Sequence, residues 1–168
     1  MRTGEHSPID RYVDINYSGL VSSGKTLPFE TTLMVKDHCL CLHVQRAARA
    51  LARRFDEDLR PFDLTNGQFS LLMSLNRPEP PPMGPVASLL AMDRTTLTAA
   101  LKPLERRGLV KIAHDPNDRR SRILILTEKG RALLARALPT WQSTHEEIEQ
   151  LAPAIDWNEF RQNLRAIS

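Results

Sequence analysis

Cysteine is nearly absent from this 168-residue chain, where only Cys39 and Cys41 occur. Residues two apart on a helix point in different directions, so the pair is poorly placed to bridge and a disulfide scaffold is excluded. Long apolar runs are missing as well. No stretch approaches the roughly eighteen apolar residues of a membrane-spanning helix, and no basic segment with an apolar signal core opens the chain. A cytoplasmic protein without a membrane partner is therefore expected. There is no glycine-rich phosphate loop and no Gly-x-Ser-x-Gly elbow, which leaves nucleotide-binding and hydrolytic chemistry without a foothold. His38, His43 and His145 lack metal-ligand spacing, and His145-Glu146-Glu147 is not a two-histidine zinc motif. Neither metal nor cofactor is expected, and the chain reads as a non-enzyme.

What is present is enough apolar material, 41% of residues, for one cored domain or one compact lobe with added helices. The net charge of +3 is small but uneven. Residues 93 to 122 carry eight Lys or Arg against four Asp or Glu, while the rest of the chain sums to −1. Such a cluster fits a module that meets phosphate, although a solvated charged face is the commoner explanation of any single cluster.

Residues 1 to 30 are rich in Ser, Gly, Thr and Pro without periodicity and read as a flexible N-terminal arm. From Asp37, taken as an N-cap, Leu40, Val44, Ala47, Ala48, Leu51, Phe55 and Leu59 recur at three- and four-residue steps, predicting a long amphipathic helix that ends before Pro61. A second helix opens at Thr65 and reaches about Leu75. Four prolines between Asn76 and Pro82 predict a loop. Gly84 and Pro85 read as the cap and first turn of a short helix to Ala91, and Asp93 as the cap of the next.

That next helix, ended by Gly108, places Leu97, Ala100, Leu101 and Leu104 on one side and Thr95, Thr98, Ala99 and Lys102 on the other. The second face is small, hydroxylated and basic, a composition that approaches base edges and phosphates closely. Val110 to His114 and Arg122 to Leu126 read as strands joined by Asp115-Pro116-Asn117-Asp118-Arg119-Arg120-Ser121, a hairpin tipped by arginines. Thr127 caps a third long helix, kinked at Pro139, with Leu134, Ala137, Trp141, Thr144, Ile148 and Leu151 in its stripe. Asp156 and Glu159 open a last helix carrying Phe160, Leu164 and Ile167. The fold class is mainly α with a small β-hairpin wing (α+β): a winged helix-turn-helix flanked by N- and C-terminal helices.

The run from Met92-Asp93-Arg94-Thr95-Thr96-Leu97 through Arg106-Arg107-Gly108-Leu109-Val110, the segment Asp115 to Ser121, and Leu126-Thr127-Glu128-Lys129-Gly130 together resemble the MarR family signature over roughly residues 38 to 150. The resemblance implies a domain over 31–168, with the DNA-binding lobe at about 62–127 and dimerisation helices at about 37–60 and 127–168. It also implies a two-fold homodimer on duplex DNA, with recognition helices in successive major grooves and wings at the minor grooves. Its contact set falls on Arg94, Thr95, Thr96, Thr98 and Lys102 of the helix and on Asp118, Arg119 and Arg120 of the wing, where Asp118 braces the loop and Arg120 enters the groove. The function implied is a repressor released from a palindromic operator by a small effector such as an aromatic acid or acyl-CoA thioester. His43, Arg46 and Arg49 would line the effector pocket.

Cys41 falls where the hydroperoxide-sensing branch of the family has its reactive cysteine, which gives a thiol redox switch as the alternative. Phe55 and Asn66 stand where that branch has tyrosines, and a lone helical cysteine is ordinarily a small core hydrophobe. Cys39 has a weaker case for reactivity. A protein-interaction module or an enzyme is the remote alternative.

Overall fold

The computed structural model describes residues 27–116, 118 and 120–167, and they fall into two compact units that meet in sequence at Ala47 and Ala48. Of the expected arm, residues 1–26 lie outside the described residues, while Phe29 and Glu30 already belong to a helix.

In the first unit, α1 (Phe29–His38) is followed by the opening turns of α2 (Leu40–Asp58). The expected cap at Asp37 is corrected here. Asp37 lies in the last turn of α1, and the chain breaks at Cys39, whose backbone is extended at φ −73° and ψ 101°. Cys39 supplies the cap instead: its Sγ accepts the Leu42 N–H at 3.4 Å. No residue of α1 is buried, and Leu27, Phe29 and Val35 are exposed.

The second unit holds the core. Phe55 and Leu59 from the end of α2 join Phe69, Leu71 and Leu72 of α3 (Asn66–Ser74), Val86 of α4 (Met83–Leu89), Leu97, Leu101 and Leu104 of α5 (Arg94–Arg106), and Leu134 and Ala137 of α6 (Glu128–Gln150). Each fully buried leucine contributes about 1.5–3 kcal/mol, so one face of each short helix suffices to fix it. The capping pattern does the rest. Thr65 and Gln68 form a reciprocal capping box on α3, Asp93 caps α5, Thr127 caps α6, and Asp156 caps α7 (Trp157–Ala166). Both α5 and α6 run on as single helices through Pro103 and Pro139.

Two helices of the reading head end in the same way. The N–H of Leu109 reaches the Leu104 carbonyl and that of Gly108 the Glu105 carbonyl, with Gly108 at φ +70°. The end of α4 repeats this Schellman arrangement, with Met92 bonded to Ala87 and Ala91 to Ser88, but the left-handed position is Ala91 at φ +50°. The predicted extent of α4 therefore shifts. It starts two residues earlier, at Met83 after an extended Pro82, and stops at Leu89, with Gly84 and Pro85 inside its first turn, where a missing amide costs no helical bond.

Strands β1 (Val110–His114) and β2 (Arg122–Leu126) pair antiparallel, from Val110 opposite Leu126 to His114 opposite Arg122. The stretch expected to be only a loop contributes to this sheet: the Leu124 N–H donates to the Pro81 carbonyl at 2.9 Å, and Pro82 bridges Ile123. Proline lacks the amide but keeps the carbonyl, so it serves as an edge acceptor.

The base of the hairpin is locked by Thr127, which donates its hydroxyl to the Gly108 carbonyl at 2.8 Å and its amide to the Leu109 carbonyl at 3.1 Å. Gly130 presses α6 against the same point. A Cβ there would collide with the Leu109 carbonyl oxygen and lie 2.7 Å from Leu126 Cδ1.

Candidate nucleic-acid interface

Helix α5 presents Thr95, Thr98, Ala99 and Lys102 outward because Leu97, Leu101 and Leu104 are drawn fully into the core. The first turn of the helix orders two of its hydroxyls, one of them through the cap. Asp93 accepts the Thr96 amide and the Thr96 hydroxyl, both at 2.8 Å, and these two bonds hold its carboxyl below the usual 3.8. Thr98 donates its hydroxyl to the Arg94 carbonyl at 2.7 Å. The protons of Thr96 and Thr98 are thus spent locally, leaving their oxygens as acceptors toward any partner, while Thr95 stands exposed beside them.

The far end of α5 is anchored separately. Arg107 donates to the Asp63 carbonyl at 2.5 Å and pairs with its carboxylate at 3.3 Å, and Lys129 Nζ donates to the Arg107 carbonyl at 2.7 Å. A cation at the C-terminal end of a helix also meets the negative end of its dipole. These anchors were not legible as such, since Asp63 and Arg107 are 44 residues apart.

In the wing, Asp118 Oδ1 accepts the Arg120 N–H at 2.9 Å, Ser121 donates its amide to the Asp118 carbonyl at 2.8 Å, and Asp115 closes the loop onto the Ser121 carbonyl at 3.1 Å. Asp118 braces the turn through the main chain. Arg119 lies outside the described residues. A polar cavity of about 330 Å³ separates wing from helices, lined by Met83, Gly84, Arg94, Asp118, Arg120, Ser121 and Arg122. It brings together Arg94, Asp118 and Arg120, which the sequence singled out on different elements. Arg122 was not singled out; its signal was its place as the first residue of the returning strand.

The residues expected at an effector pocket are dispersed along α2. His43, Arg46 and Arg49 are all exposed, and a ring nitrogen of His43 lies 3.1 Å from the Asp37 carbonyl. Cys41 is exposed rather than part of a core, with Gln45 Nε2 donating to its sulfur at 3.5 Å, and both cysteines are free.

Elsewhere in the second unit, Phe69, Met73, Leu89, Leu138 and Trp141 line an apolar cavity of about 350 Å³ whose polar groups include Ser70 and Ser74. Behind it the ring of His145 stands 4.2 Å from Trp141 and 4.8 Å from Phe55. Burial among these rings pushes the imidazole below its usual 6.5, partly opposed by Glu149. Among the described residues, no group of three or more metal-ligating side chains occurs and no helix is long and apolar enough to cross a membrane.

A family model described as the MarR family matches residues 64–121, which contain α3, α4, α5, β1 and the loop that follows it. The HTH-type transcriptional regulator TtmR of Methylorubrum extorquens is 38% identical over 97 residues, 58% of this chain and 50% of TtmR. The chain thus spans about half the length of that relative. The M. tuberculosis transcriptional regulator MosR, solved in complex with DNA, superposes with a TM-score of 0.68 at 34% identity, covering 77% of this chain and 93% of MosR. CouR from Rhodococcus jostii RHA1, solved with p-coumaroyl-CoA, gives a TM-score of 0.68 at 25% identity over 78% of this chain and 92% of CouR.

Proposed function

The chain belongs to the MarR family, and from that membership we propose that it is a sequence-specific DNA-binding transcription regulator that acts as a homodimeric repressor. One observation carries the reading: the exposed hydroxyl and lysine face of α5 stands beside a braced, arginine-bearing wing. Arg94, Thr95, Thr96, Thr98 and Lys102 are assigned to the major groove. Asp118, Arg119 and Arg120 are assigned to the minor groove, where a narrow channel concentrates negative potential. Dimerisation is assigned to the terminal helices, whose Phe29, Leu33, Phe160 and Ile167 are exposed in the single chain. Apolar side chains in such number favour a covered surface.

The effector proposed is an aromatic acid or its acyl-CoA thioester. CouR is bound to p-coumaroyl-CoA, and the apolar cavity beside Trp141, with Phe69 and Trp141 in its wall, suits an aromatic group. His43, Arg46 and Arg49, exposed on α2, remain the candidate polar residues for the effector.

Footprinting on fragments selected from the source genome is the test. A symmetric protected site is expected, with half-site centres one helical turn, about 34–36 Å, apart. Protection of an asymmetric site by one chain would sink the dimer reading. A thermal-shift series of aromatic acids, their CoA thioesters and peroxides then identifies the effector, because a ligand of the native state raises the unfolding midpoint.

A further inference from the structure

Three guanidinium groups, from Arg94, Arg120 and Arg122, line one cavity, and among the described residues none of them pairs with a carboxylate. Some arginines elsewhere are paired: Arg54 with Asp58, Arg107 with Asp63, Arg131 with Glu128, and Arg161 with Glu149. The acid in the cavity wall, Asp118, directs an oxygen to the Arg120 main-chain N–H. The cavity wall therefore carries three guanidinium cations against one carboxylate, an excess of positive charge. Gly84 also lines it, and a Cβ there would meet only Arg94 Nη2, at an ordinary contact distance of 4.0 Å.

We propose that this cavity seats a single phosphodiester group, held jointly by Arg94 at the start of α5 and Arg122 at the start of β2. The inference rests on the DNA-binding reading above, moves Arg94 from the major groove to the strand at its edge, and adds Arg122, which that reading does not assign. Its source follows from duplex geometry. One sugar-phosphate strand separates the major groove from the adjacent minor groove, so a protein with α5 in one and the wing in the other straddles that strand. The space between the start of α5 and the loop end of the hairpin is where the strand passes. Two planar forks converging on one tetrahedral oxyanion satisfy the guanidinium donors as carboxylates do in the paired arginines.

The test uses the full chain on a random-sequence duplex, with affinity followed across KCl concentrations. Each phosphate neutralised contributes about 0.9 to the slope of log affinity against log salt. Since both arginines hold the same group, the double variant Arg94→Ala/Arg122→Ala should lose about 0.9 of slope per bound chain, and Arg136→Ala on the exposed face of α6 should lose none. A loss of about 1.8 would mean two separate phosphates and would overturn the joint seat; no loss would overturn it too.

A second readout is independent of duplex. Titrating the DNA-free protein with inorganic pyrophosphate should shift the Arg94 and Arg122 Nε–H resonances together. If the parent binds duplex, the double variant keeps its slope and neither resonance moves, the seat falls while the DNA reading stands. If both resonances move but no duplex binds, the seat stands with a free polyphosphate as its source and the DNA reading falls. Failure of both removes both.

Discussion

The Asp118 carboxylate accepts the Arg120 N–H at 2.9 Å, so the acid of the wing acts on the backbone and leaves the neighbouring guanidinium outside any ion pair among the described residues. The division of labour is testable because charge and acceptor can be removed separately.

Asp118→Asn keeps an oxygen for the Arg120 amide and discards the charge, whereas Asp118→Ala discards both. A backbone hydrogen bond of this kind is worth about 1 kcal/mol, so Asp118→Ala should bind duplex roughly fivefold more weakly than Asp118→Asn. Equal affinities in a fluorescence-anisotropy titration would show that the turn does not position Arg120.

At the two Schellman ends, the backbone predicts opposite outcomes for opposite substitutions. A left-handed alanine costs about 1–2 kcal/mol, and a glycine in its place gives up about 0.5–1 kcal/mol in chain entropy, so Ala91→Gly should stabilise by somewhat under about 1 kcal/mol. Gly108→Ala should destabilise. Gly130→Ala should lose about 1–3 kcal/mol through collision with Leu109 and Leu126. Urea unfolding midpoints check all three, and a stabilised Gly130→Ala would contradict the packing at the wing base.

His145 makes stability depend on pH. Its imidazole titrates below the usual 6.5 when folded, so between that lowered value and 6.5 the unfolded chain holds more protons than the native one. Stability should fall as pH drops through 6.5 and level off below the native value, with no contribution above 6.5. The difference in urea midpoint between pH 8 and pH 5.5 should shrink in His145→Phe; an unchanged difference would assign the effect to other groups.

Cys41 is exposed but accepts a hydrogen bond from neutral Gln45, and no phenol stands at Phe55 or Asn66. The parent and Cys41→Ser should therefore be released from duplex by cumene hydroperoxide to the same small extent. Full release of the parent alone would make the thiol the sensor.

Local chemistry explains what the sequence made legible. Thr65, Asp93, Thr127 and Asp156 announce helix starts because their side chains satisfy amides that the helix leaves bare, and Gly108 announces an end because it tolerates a positive φ. The end of α4 at Ala91 was hidden, since alanine ordinarily continues a helix. Helix α1 was hidden for a different reason: it buries nothing in the single chain, so its apolar residues trace no stripe. At the candidate interface, the face of α5 followed from helical rotation. The placing of Arg94 and Arg122 on one cavity did not, because only folding sets the loop end of the hairpin against the helix start.

The Pro81 carbonyl that accepts the Leu124 amide has a consequence for how the protein behaves in a crowded solution. A sheet edge ordinarily offers a row of free N–H groups on which a foreign strand can grow. Here the outermost segment is Pro80-Pro81-Pro82, which has no amide hydrogen to offer. The sheet ends there chemically as well as spatially, and that flank of the wing is closed to strand-by-strand aggregation.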